Sequence, residues 1–147
     1  MKKFKKEKGK YIIYLKLPLL IIFILSVIQS IFLMIGISFF NLTNSTNPIG
    51  ILKLIVVLCT GFYLVSKKKF KLINNLFAGT LLFAASLLTF FFVPSIFPRT
   101  IPLIFRLINY GVIILVNLVL FVLTSVVGGI IAKLYLILKK KHNEKHR

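Results

Sequence analysis

His142 and His146 are the only imidazoles in the chain, and they stand four apart in the run His142-Asn143-Glu144-Lys145-His146. On a helix that spacing brings both rings to one face, where they would suit a divalent metal. The acid between them is misplaced for the zinc-protease pattern His-Glu-x-x-His, and the surroundings are cationic, so the segment reads as a solvated, disordered tail. Glu7 is the only other acid, which leaves no carboxylate pair for acid–base work. Cys59 is the sole cysteine; it has no intrachain partner and reads as a thiol packed within an apolar segment. There is no glycine-rich phosphate loop and no Ser, His, Asp set. The sequence offers no catalytic residue, no metal ligand and no cofactor site, and the expectation is a non-enzymatic protein.

A second group of residues is set apart by its surroundings. Ser26, Gln29 and Ser30 interrupt one long apolar run, and Asn75, Gly79, Ser86 and Thr89 recur at steps of four, seven and three in another. Near the C-terminus Asn117 precedes Thr124, Ser125, Gly128, Gly129 and Ala132, with Thr124, Gly128 and Ala132 spaced by four and Ser125 and Gly129 likewise. At helical periodicity these are polar, small-residue stripes. Small residues let helix backbones approach, and amides or hydroxyls then bond across the contact. The stripes therefore predict helix packing, with Gln29 and Asn117 lining a substrate path as the alternative.

The elements that must carry these stripes follow from composition. The chain has 147 residues, 59% of them hydrophobic and 15% charged, with Lys+Arg 20 against Asp+Glu 2 and a net charge of +18. So few polar groups cannot cover a water-facing exterior, whereas stretches of about 20 apolar residues suit a bilayer. Four stretches qualify, at about 17–40, 49–66, 72–97 and 107–132, flanked by basic tails at 1–16 and 133–147. None alternates as a barrel strand would. The connecting segments are short, which favours sequential neighbours. The fold class is thus all-α: one domain, residues 1–147, forming an integral membrane four-helix bundle with antiparallel neighbouring spans.

Basic residues fix the orientation. Seven lie in the N-terminal flank, four in the turn at Lys67–Lys71 and six in the C-terminal flank, leaving only Lys53, Arg99 and Arg106 for the opposite face. Cations are retained on the cytoplasmic side during insertion, so both termini are expected in the cytoplasm of a cell bounded by a plasma (inner) membrane. A basic start before an apolar run also resembles a secretory signal peptide, but this run exceeds the usual signal length and reads as a retained span. Lys53 falls inside the second span and is expected to snorkel, its ammonium reaching headgroups. Arg99, Arg106, Lys133 and Tyr135 read as further membrane-interface anchors. The triplets at Asn41 and Asn44 match the glycosylation sequon but read as chance matches in a chain rich in Asn.

The expected partners are membrane lipids, with anionic headgroups at the cytoplasmic face, and either further copies of the chain or other membrane subunits. The tails are dominated by Lys and lack aromatic platforms, so nucleic acid is not among them. In layout, with lysine-rich ends, Gly61, Gly79 and the Gly128-Gly129 pair, the chain resembles small, functionally uncharacterised four-span membrane proteins of low-GC bacteria. That resemblance implies no functional residue. The expected role is a structural or accessory subunit of a membrane assembly, the alternative a small passive transporter, channel or holin-like pore.

Overall fold

A computed structural model describes residues 2–34, 48–68, 70–87 and 103–145, and its secondary-structure elements among these are helices. They are α1 (Lys2–Met34), α2 (Pro48–Ser66), α3 (Ile73–Ser86) and α4 (Leu103–Lys145). Three carry apolar stretches long enough to cross a membrane: Ile13–Phe32, Pro48–Ser66 and Gly111–Asn143. The fourth, α3, has 14 residues, roughly 21 Å at ~1.5 Å per residue. It covers the first part of the span expected over 72–97, and residues 88–97 lie outside the described residues, as does the loop carrying Asn41 and Asn44.

Both basic ends differ from expectation. Helix α1 begins at Lys2 and so takes in most of the N-terminal tail, while α4, expected to continue as helix to Leu138, runs on through His142 to Lys145, where a disordered tail is expected. The physical reason is local: Lys and Leu are good helix formers, and after Gly129 no glycine or proline breaks α4. Inside α1, Pro18 removes the amide that would bond the Tyr14 carbonyl.

The turn from α2 to α3 is closed by the Lys67 amide bonding the Tyr63 carbonyl (3.0 Å) and the Phe70 amide bonding the Leu64 carbonyl (3.1 Å). Phe70 then tilts against Tyr14 with centroids 6.2 Å apart, and the Lys68 ammonium lies 4.2 Å above the Tyr14 ring, a cation–π contact that ties the turn to α1. Desolvation opposes the charge there, but a hydrogen bond with Tyr63 and the proximity of Tyr14 hold the Lys68 pKa above the ordinary lysine value.

All four helices meet in one core. Ile22 of α1, Val57 of α2, Leu82 and Phe83 of α3 and Phe121 of α4 form a buried cluster, with Phe83 and Phe121 edge to face at 5.9 Å. A second cluster joins Leu15, Leu64 and Ala78. Around these cores polarity is inverted. Gln29, Lys53, Asn75, Asn117 and Ser125 are buried, whereas Leu17, Phe23, Ile55, Phe77, Leu115, Leu123 and many other large apolar side chains are exposed.

Candidate functional site: the polar seam between the helices

The buried polar residues differ in where their hydrogen bonds go. Four of the hydroxyls turn back on their own helices. Ser26 donates to the Ile22 carbonyl (2.8 Å), Ser30 to the Ser26 carbonyl (2.8 Å), Thr60 to the Val56 carbonyl (2.7 Å) and Ser86 to the Phe83 carbonyl (2.8 Å). A carbonyl one turn back is always within reach of a helical Ser or Thr, so the expectation that hydroxyls bond across the contact is corrected at these positions. Asn117 is buried, and its amide donates to the Ile113 carbonyl on the same helix at 3.0 Å.

Two longer side chains do bridge helices. Asn75 of α3 donates from Nδ2 to the Gly61 carbonyl of α2 (3.2 Å) and to the Ser125 carbonyl of α4 (2.9 Å). Both partners are acceptors, which fixes the donor end of the amide. One side chain thus joins three helices, while its own Oδ1 and the Ser125 hydroxyl are buried with no hydrogen-bond partner. Glycines make the room. A Cβ on Gly61 would overlap the Ser125 carbonyl, one on Gly128 the Leu58 carbonyl, and one on Gly129 the Asn75 amide. A Cβ on Gly79 would fall 2.7 Å from the Val122 Cα. Asn75→Leu keeps the volume and removes both bridging bonds, each worth roughly 0.6–2 kcal/mol inside a helical bundle. Loss of the unpaired Oδ1 offsets part of that, so the expected cost is about 1–3 kcal/mol of unfolding free energy, read from thermal or denaturant unfolding in detergent. An unchanged midpoint would show that the bridge contributes nothing.

The second bridge is Lys53 of α2, whose ammonium donates to Gln29 Oε1 of α1 at 2.6 Å. Lys53 is 1% exposed. This corrects the expectation of a headgroup anchor: the side chain points into the bundle, because Gln29 offers a strong acceptor where lipid tails offer none.

Of the other expected residues, Ser26, Ser30, Gly79, Gly128 and Gly129 are buried and Thr124 is half-buried. Lys133 and Tyr135 are exposed, as interface residues would be. Arg106 lies on α4, and Arg99, like Thr89, lies outside the described residues. Cys59, expected to be packed, is exposed instead. Sequence reasoning misses the Gln29–Lys53 pair because it sends Lys53 to the headgroups and assigns Gln29 to packing or a path. Spacing within one span does not say which residue of a neighbouring span a side chain meets, so no signal in the sequence marks this pair. No protein-family model, curated protein or solved structure matches the chain.

Proposed function

We propose that the chain is a non-enzymatic, multi-pass protein of the plasma membrane, an up-down-up-down bundle with both ends cytoplasmic, serving as a structural or accessory subunit of a membrane assembly. The observation that carries the reading is the inverted polarity. An exterior of exposed Leu, Ile, Val and Phe around a core holding Gln29, Lys53, Asn75 and Asn117 suits a hydrocarbon solvent, whereas water-soluble monomers rarely expose apolar patches beyond a few hundred Å².

Contacts support the helix directions. Residue numbers run in opposite senses between α1 and α2, through the Leu15–Leu64 and Ile22–Val57 clusters and the Gln29–Lys53 bond. They do so again between α3 and α4, through Asn75 with Ser125, Gly79 with Val122 and Phe83 with Phe121. Between α2 and α4 they rise together, through Val57 and Phe121 in one cluster and Phe62 against Tyr135 further along. This pattern leaves the basic turn and the C-terminal lysines at one end of the bundle. A reporter fused after Arg147 should be active only in the cytoplasmic form; activity outside the cell would overturn the orientation.

The assembly role rests on how the interior polar groups are used. Gln29, which with Asn117 would line a path in the alternative reading, accepts the Lys53 bond, and Asn75 ties three helices together. Such bonds stabilise a packed unit. Affinity purification in mild detergent should recover further copies of the chain or other integral membrane proteins in fixed ratio. A monodisperse single chain that releases an encapsulated dye from liposomes would reject the assembly role and favour a pore.

A further inference from the structure

At the basic end of the bundle, α2, its turn and α4 enclose an open groove of about 380 Å³ lined by Phe62, Ser66, Lys67, Tyr135, Leu136 and Lys139. Its two ends differ in chemistry. Phe62 and Tyr135, tilted at 52° with centroids 6.0 Å apart, form an apolar wall together with Leu136. Lys67 and Lys139 supply two ammoniums from separate elements, and the Ser66 hydroxyl is buried there without a hydrogen-bond partner. Lys68, the next residue, is drawn aside over the Tyr14 ring.

The geometry points to a binding site for one anionic phospholipid: its phosphate sits between Lys67 and Lys139 and accepts from the Ser66 hydroxyl, and its glycerol and upper acyl chain lie along Phe62, Tyr135 and Leu136. The inference rests on the membrane reading above. Three observations select this occupant over a protein segment or a free anion. The groove joins an apolar wall to a cationic end, its position beside the basic turn is at headgroup level in that reading, and no acid lines it. Two ammoniums and a hydroxyl match the acceptor-rich phosphate, and basic pockets between helices on the cytoplasmic side suit anionic headgroups.

The test uses the full chain purified in mild detergent, with phosphatidylglycerol and phosphatidylcholine as probes in native mass spectrometry. The expected result is retention of one phosphatidylglycerol about tenfold over phosphatidylcholine. The preference should fall to near parity in K67Q/K139Q and in S66L, which fills the groove without changing charge. It should persist in K71Q/K141Q, which removes the same charge from exposed positions outside the groove. Equal retention of both lipids by the parent protein, full retention by K67Q/K139Q or S66L, or an equal loss in K71Q/K141Q would each overturn the site. Displacement of the lipid by millimolar inorganic phosphate would overturn the lipid assignment. Membrane integration is checked separately by sedimentation of carbonate-washed membranes, so failure of the underlying reading is distinguishable from failure of the site.

Discussion

Gly128→Leu should be among the most damaging single substitutions in the chain. The backbones of α2 and α4 touch where Gly128 meets Leu58 and Gly61 meets Ser125, and a Cβ at either glycine would run into a main-chain carbonyl. A carbonyl cannot rotate away as a side-chain tip does, so the helices must separate. That separation also pulls Ser125 away from Asn75, whose other bond is to Gly61. Overpacking typically costs about 1–3 kcal/mol and here reaches the upper part of that range, because the close approach and a bridging bond are lost together. The expected consequence in detergent is a thermal midpoint lowered by roughly 6–12 °C, taking about 2–4 °C per kcal/mol for a chain of this size. Gly111→Leu is the control, since a Cβ there meets nothing within 4 Å. A comparable drop for both would mean that the α2–α4 seam is not what Gly128 protects.

How far this seam is legible in the sequence depends on which property is read. The face of α4 is largely legible, because helical periodicity alone gathers Asn117, Thr124, Ser125, Gly128, Gly129 and Ala132, all buried except the half-buried Thr124. Their partners are less so. Spacing says which residues share a face but not which helix they meet, and nothing in it marks Asn75 as the side chain that joins α2 to α4. Lys53 shows a second limit. Hydropathy treats a charge within an apolar run as a defect to be moved to the edge, yet Lys53 lies inside, where it meets an acceptor on a neighbouring helix. The helical extent of the ends is hidden for a related reason. Charge composition marks where an apolar run stops, whereas a helix stops only where its backbone is interrupted, and neither Lys2–Lys16 nor Lys139–Lys145 contains a proline.

The Gln29–Lys53 bond makes the strongest quantitative claim, because its two ends should respond unequally. Gln29→Leu leaves the ammonium in the interior without its acceptor on α1. Hydrogen bonds to charged groups are worth about 1.5–3 kcal/mol, and loss of this one from a buried donor falls at the upper end of that range. A loss of about 3 kcal/mol is expected. Lys53→Met removes the charge while keeping an unbranched apolar stem of similar length, so the vacated contacts are largely refilled and the cost should stay below about 1 kcal/mol. In the Gln29→Leu, Lys53→Met double variant the apolar side chains face each other, and stability should return to within about 1 kcal/mol of the parent. The resulting coupling, at least about 2 kcal/mol, would exceed the average of roughly 0.6 kcal/mol for interhelical hydrogen bonds in membrane proteins, as a charged donor requires. Equilibrium unfolding of the four proteins in one detergent measures it. If Lys53 instead extended to headgroups, Gln29→Leu would be nearly silent, Lys53→Met would cost the same with or without it, and the two effects would add.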